Sequence, residues 1–263
     1  MNLINRNFIY RKIENLLVRL LYFIWNVNNY NSKKNGEELF LRSFLSLYDI
    51  KHKIVVFDCG ANVGDYLKIL IDIADSRKLK IEAHVFEPTN GCFQLLREKF
   101  STYKNVLINQ VGVSNLNETK TIYFDFENSA LASLYNRNLN YYKKQLNLSE
   151  EISLIKLDDY ISKREIKHIN LLKLDIEGHE LFALKGLQKF LNGDFIDFIQ
   201  FEYGGANLDS KTSLLDIYSI LSEGGFKIAR VMKKGLEILD YNPKMEIFQY
   251  TNYVAISKKI INN

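Results

Sequence analysis

The sequence predicts an α/β fold: a mostly parallel sheet covered by helices, with an antiparallel strand near one edge and a helical extension at the N-terminus. Three observations predict it. From residue 54 onward, short apolar runs alternate with stretches of helical periodicity, the pattern of a parallel sheet with helices on its faces. The runs are β-branched or aromatic and end in turn residues, as buried strands do. After Gly224-Gly225 come two further strands joined without a helix, which makes an antiparallel pair at the end of the sheet.

Composition bounds the rest. The 263 residues are 47% hydrophobic and 25% charged, enough to fill a core and too apolar for a disordered or fibrous chain. Two cysteines, Cys59 and Cys92, exclude a disulfide scaffold or a cysteine-based zinc site and point to a reducing compartment, the cytoplasm. The formal charge of +4 supplies no basic stripe for nucleic acid.

In chain order, segment 8–27 is an amphipathic helix, with Ile9, Ile13, Leu16, Leu20, Ile24 and Val27 on one face and Arg11, Asn15, Arg19 and Asn26 on the other. Its charges break any run long enough to span a bilayer, and it lacks the unbroken apolar centre of a cleaved signal. Packing on the domain or on a second copy of the chain is the favoured reading, and peripheral contact with the inner face of a membrane is the alternative. Residues 26–35 read as a polar linker and 37–50 as a second helix. Strands follow at 54–58, 81–86, 106–111, 169–176, 195–203, 226–232 and 249–257, with helices at 63–75, 92–100, 180–191 and 214–223. The segment 115–167 is an insertion with strand-like pieces at 120–126 and 152–157. Its polar, Tyr-rich middle reads as a cap over the sheet edge where substrates of open α/β sheets sit. The chain thus divides into an extension, 1–50, and one domain, 51–263.

The first strand runs through Asp58 into Gly60, Asn62, Gly64 and Asp65 before a helix begins, a turn that brings backbone and helix N-terminus close to a ligand. The second strand ends at Glu87 and Pro88, where nucleoside-binding sheets place a carboxylate to accept ribose hydroxyls. The loop has Asn62 where a dinucleotide fingerprint needs its second glycine, and Asp58 would repel a pyrophosphate. A carboxylate there suits a ligand carrying an ammonium and a sulfonium, S-adenosylmethionine. Gln110, Gly112 and Val113, where the third strand ends, supply an apolar wall with a polar amide for adenine.

The fourth strand leads into Asp175, Glu177, His179 and Glu180. Carboxylates this close repel one another unless they bind or react with something, although acids also cap helix N-termini. His179 is expected to act as the base, because imidazole titrates near neutrality. Glu177 or Glu180 would orient it or bind acceptor hydroxyls, Asp175 would sit at the sulfonium end, and Glu202 on the fifth strand is a second candidate base. A divalent cation held by Asp175, Glu177, His179 and Glu202 is the less favoured reading, so no metal ligand is assigned. His52, His84 and His168 read as structural or surface residues. Lys143-Lys144 and Lys233-Lys234 read as solvated faces, with contact to a phosphate of the acceptor as the alternative.

FDCGANVGDY, VFEP and LLKLDIEGHELFALKG together resemble the FkbM-type methyltransferases, a class I S-adenosylmethionine-dependent family, over residues 54–202. The resemblance implies a Rossmann-like seven-stranded sheet with an antiparallel last strand. It also implies cofactor contacts from Asp58, Gly60, Asn62, Gly64 and Glu87, and O-methylation of hydroxyls on sugars, glycans or secondary metabolites; a hydroxyl of a sugar, sugar nucleotide or glycan precursor is the favoured acceptor. A nicotinamide-dependent oxidoreductase, a methyltransferase of another small molecule, and a cofactor-binding module without activity are the competing readings. Homo-oligomer formation stays open.

Overall fold

The structure is a computed structural model that describes residues 8–262; residues 1–7 of the expected extension and Asn263 lie outside them. Helix α1 (Phe8–Ile24) is followed by a one-turn helix α2 (Ser32–Asn35) and by α3 (Glu37–Leu45). Then come β1 (Lys53–Cys59), α4 (Asp65–Ser76), β2 (Lys80–Phe86), α5 (Asn90–Lys99) and β3 (Val106–Asn109). The next elements are β4 (Gly112–Ser114), β5 (Glu118–Phe124), β6 (Leu148–Lys156) and α6 (Leu157–Lys163). They lead to β7 (Ile169–Leu174), α7 (Glu180–Lys185), β8 (Ile196–Tyr203), α8 (Gly205–Ser210) and α9 (Leu214–Glu223). The chain closes with β9 (Phe226–Met232), β10 (Gly235–Ile238), β11 (Thr251–Ser257) and α10 (Lys258–Ile261).

The large sheet has the order β10-β9-β11-β8-β7-β1-β2-β3. Strands β3, β2, β1, β7 and β8 are parallel, and β11 runs antiparallel between β8 and β9. Seven of these strands form the expected α/β sheet with its antiparallel last strand. The eighth, β10, is a short hairpin partner of β9 that alternation alone does not signal. A second sheet, β4-β6-β5, is built largely from the insertion. The expected strand 106–111 therefore splits, with β3 staying in the large sheet and β4 leaving it to pair with β6.

Both faces of the large sheet are buried, which is why its strands read as continuous apolar runs. In β1, Ile54 and Val56 face one apolar cluster and Phe57 and Cys59 the other. The first cluster also takes Phe40, Leu41, Phe44 and Leu45 of α3, with Phe40 and Phe44 edge-on to Phe198 at 6.0 and 5.5 Å between ring centroids. The N-terminal extension is accordingly not one unit. Helix α3 is core, whereas α1 has no buried residue and meets the body near its C-terminal end, where Lys233 lies over the Phe23 ring.

Helix α1 stops at Ile24, three residues before the expected end. Asn26, at φ 56°, turns the chain inward and buries its amide on the carbonyls of Asn35 and Val231, while Val27 enters the core. The expected linker is thus a fastened strap. Helix α7 is also shorter than expected, ending at Lys185, and a 3₁₀ turn, Gln188–Phe190, follows it.

Candidate active site

A cavity of about 650 Å³ opens at the C-terminal ends of β1, β2, β7 and β8, roofed by the second sheet and by residues 126–144 of the insertion. Its floor is the turn after β1. Gly60, at φ 80°, is required there: a Cβ would lie 1.8 Å from the carbonyl oxygen of Asp175. Two strand-end turns are thereby pressed together, which sets the β1 loop directly against the acid-rich loop after β7.

Glu87 lines the cavity and is 5% exposed. One carboxylate oxygen accepts the N–H of Asn62 at 2.9 Å, and the other accepts the N–H and hydroxyl of Thr89 at 2.9 and 2.6 Å. Burial raises its pKa, partly opposed by these bonds. A carboxylate offers about four lone-pair sites, so the three bonds fix its orientation and leave capacity for a hydroxyl. Asn62, at φ 48°, donates its amide to the Ser129 carbonyl and ties the β1 loop to the insertion.

The acidic end is more crowded. Asp175, Glu177 and Glu202 line the cavity together. Burial, then the charges of Asp175, Glu177 and Glu180, push Glu202 well above the ordinary carboxylate range, while Asp175 accepts from Lys173 at 2.8 Å. Burial likewise pushes Glu177 up to about 8, opposed by Arg137. Arg137 reaches in from the insertion, donating Nη1 to Glu177 at 2.7 Å and Nε to Asp209 at 2.9 Å. Glu177 is itself a left-handed residue, φ 50°, and its carbonyl accepts from Ser133 at 2.8 Å. Turn and insertion hold each other in place.

His179 differs from expectation. It is 3% exposed, with Nε2 2.9 Å from the Ser114 hydroxyl, Nδ1 2.9 Å from the Tyr135 hydroxyl, and its ring stacked on Phe182 at 4.7 Å. Burial lowers its pKa to about 4, so the imidazole is neutral at physiological pH. With both nitrogens engaged, it has no free lone pair for an acceptor proton. Glu180 is structural: Oε1 accepts the N–H groups of Ile176 at 3.1 Å and Gly178 at 3.3 Å, capping the turn.

Of the residues expected at the site, Gly60, Asn62, Glu87, Pro88, Gly112, Val113, Asp175, Glu177, His179 and Glu202 line the cavity, and Asp58, Gly64, Asp65 and Gln110 do not. Asp58 shares a strand face with Ile54 and Val56 and so points beneath the cavity, toward Lys173, whose Nζ is 3.8 Å from Oδ1. Neither of its carboxylate oxygens has a hydrogen-bond partner among the described residues. Gly64 is a packing residue, since a Cβ would meet Phe100 at 2.5 Å and Leu96 at 2.7 Å. Asp65 turns to solvent and pairs with Lys99 at 2.7 Å, and Gln110 is exposed beside Asn90. His84 and His168 hold Tyr160 and Asp197, and His52 pairs with Asp49 at the surface. Of the two lysine pairs, Lys144 reaches the cavity wall.

Sequence reasoning missed Arg137, Tyr135, Asn28 and Tyr30, all brought to the site by segments read as cap or linker. Tyr30 packs at a tilt against Tyr250, 4.5 Å between ring centroids, and the Asn28 N–H donates to the Tyr250 carbonyl at 2.9 Å. The clustering of Tyr and Asn around these positions was the only local hint. The described residues contain no group of three or more His, Cys, Asp or Glu placed to hold a metal ion.

Comparison with known proteins adds family context. The family model described as "Methyltransferase FkbM domain" matches residues 58–228. The hexuronic acid methyltransferase AglP of Haloferax volcanii is 27% identical over 201 residues, 76% of this chain and 72% of that protein. Among solved structures, the methyltransferase FkbM of Methylobacillus flagellatus aligns at TM-score 0.47 and 19% identity, covering 77% of this chain but only 43% of that one. The fibrillarin pre-rRNA processing protein of Methanococcus jannaschii aligns at TM-score 0.46 and 14% identity, covering 87% and 77%.

Proposed function

The chain belongs to the FkbM family of S-adenosylmethionine-dependent methyltransferases, and from that premise we propose that it methylates a hydroxyl of a sugar, sugar nucleotide or glycan precursor. The observation that carries the reading is one cavity with two polar ends: Glu87 on one side, and Asp175, Glu177 and Glu202 on the other, with apolar wall between. The donor set fits the cofactor. Glu87 retains acceptor capacity for ribose hydroxyls, Phe86, Gly112 and Val113 give a flat apolar wall for adenine, and Asp175 with Glu202 offers negative charge to a sulfonium and an ammonium. The cofactor supplies a methyl carbon already activated for displacement.

What the chain must do is hold the acceptor oxygen in line and take its proton. Glu202, pushed well above the ordinary carboxylate range by burial and by the neighbouring acids, faces the same cavity as Asp175, whose Oδ2 accepts from the Lys173 ammonium at 2.8 Å. Positive charge in the cavity draws Glu202 toward its ionised form, whose carboxylate can then accept the hydroxyl proton. His179 then serves as a neutral strut that fixes Ser114 and Tyr135. Arg137 balances the acids and orients Glu177 toward the acceptor. A carbohydrate acceptor is supported by this density of hydrogen-bonding groups and by the hexuronic acid activity that the Haloferax relative's name states.

The test is a panel of sugar nucleotides, uronic acids and glycans incubated with labelled S-adenosylmethionine, read by mass for the gain of one methyl group. Label on a sugar hydroxyl is the expected result. Transfer confined to phenols or amines would overturn the acceptor class while leaving the methyltransferase reading intact.

A further inference from the structure

Helix α1 projects from the body with Ile13, Leu16, Leu17, Leu20 and Ile24 all at least half exposed. At 100° per residue its apolar side chains sweep an arc of roughly 160°, wider than the narrow seam of a coiled coil. The polar face carries Arg11, Lys12 and Arg19 against one acid, Glu14. Where the helix meets the body, exposed Lys33, Lys34, Lys233 and Lys234 extend the positive charge, and Lys233 lies 3.6 Å over the ring of Phe23. A symmetric pairing of two copies would bring like charges together along that flank. A surface of anionic lipid neutralises them.

We infer that α1 is an interfacial anchor that lies in the headgroup region of an anionic membrane, apolar arc down and basic residues at the phosphates. The helix is too short to cross: its 17 residues extend about 25 Å against a hydrocarbon core of about 30 Å. No described helix is long and apolar enough to span. The anchor is joined stiffly to the site. Asn28 and Tyr30 line the cavity, and Asn26, Asn28 and Tyr30 are fastened to the body through Val231, Gln249 and Tyr250. Asn28 lies four residues beyond Ile24, so the cavity wall begins within about 14 Å of chain from the bound helix. Acceptors carried at the membrane surface would then reach the cavity without the enzyme leaving it. The inference does not depend on which acceptor is methylated.

The experiment uses the full chain and vesicles of phosphatidylcholine with roughly one-third phosphatidylglycerol, compared with phosphatidylcholine alone. Sedimentation with the mixed vesicles is expected, weakened at least about tenfold without the anionic lipid or at high salt. Leu16→Asp with Leu20→Asp, and separately Arg11→Glu with Arg19→Glu, should each weaken it by about tenfold or more while the unfolding temperature holds. Failure to sediment with either vesicle overturns the inference, as does undiminished binding by the Leu16/Leu20 variant. A soluble dimer that this variant dissociates, with no vesicle binding, would assign the face to a second copy instead.

Discussion

Two neighbouring turns, after β1 and after β7, do the same geometric job by different means. Each carries the chain from a buried parallel strand into a helix through left-handed residues: Gly60, Asn62 and Gly64 in one, Glu177 and Gly178 in the other. The β1 turn is closed mainly within the core, with Glu87 at the next strand end accepting the Asn62 N–H, and the insertion adds one bond, from the Asn62 amide to the Ser129 carbonyl. The β7 turn carries three acids and depends on a distant segment, since Arg137 and Ser133 of the insertion hold Glu177 by its carboxylate and its carbonyl. The insertion thus touches both ends of the cavity, but it holds the acidic end by an ion pair as well as by hydrogen bonds. Cofactor binding and acceptor chemistry should therefore be separable by mutation.

The strongest break falls on the β1 side. Glu87→Ala removes the ribose acceptor and leaves the N–H of Asn62 and Thr89 without it; cofactor affinity is expected to fall about a hundredfold or more by calorimetry. An unchanged affinity would remove Glu87 from the site. On the β7 side, Arg137→Ala leaves Glu177 and Asp209 unpaired in a largely buried setting, costing about 3 kcal/mol of stability and most turnover. Cofactor affinity should stay within about threefold, and Glu177→Gln in the same chain should restore part of the unfolding temperature. If affinity fell in parallel with turnover, the two ends would not be separable.

Proton linkage sharpens the contrast. Glu180 at about 7 and Glu177 at about 8 lie above the ordinary carboxylate value, because burial disfavours their charged forms. Groups raised in this way stabilise the fold fully below their unfolded pKa and lose that contribution as pH rises through the folded values. The ligand-free protein should accordingly melt lower at about pH 8 than at about pH 5, and Glu177→Gln should flatten that slope. Cofactor affinity should run the opposite way, tightening as pH rises, because a cation prefers the ionised cluster; calorimetry in two buffers should show proton release on binding. The smallest effects belong to Asp65→Ala and Gln110→Ala, whose side chains face solvent. Affinity and turnover should change less than about twofold, since an exposed ion pair contributes at most about 1 kcal/mol.

Much was legible from local pattern. Strand-and-helix alternation identified the parallel core, and Gly60, Glu87 and Asp175 were marked by their places at strand ends. These are properties of a strand period and a turn, which a short window of sequence contains. The role of His179 was not legible. Its type suggested a base, but its environment, Ser114 and Tyr135 on its two nitrogens and Phe182 beneath it, comes from segments 3 to 65 residues away. Asp58 was misplaced for a related reason: strand parity sends it to the α3 face, and only the packed sheet shows that this face lies under the cavity.

The sequence by itself determined the fold class and the family and marked the acids at the strand ends, because periodicity, strand-end carboxylates and the D-x-E-G-H-E block are all local. Tertiary structure alone decided which acids meet, that Arg137 balances them, that the imidazole is neutral, and that the segment after α1 is wall rather than linker. Charge, burial and pKa depend on what surrounds a group in space. That neighbourhood is assembled from the insertion and the N-terminal strap, whose places no local pattern specifies.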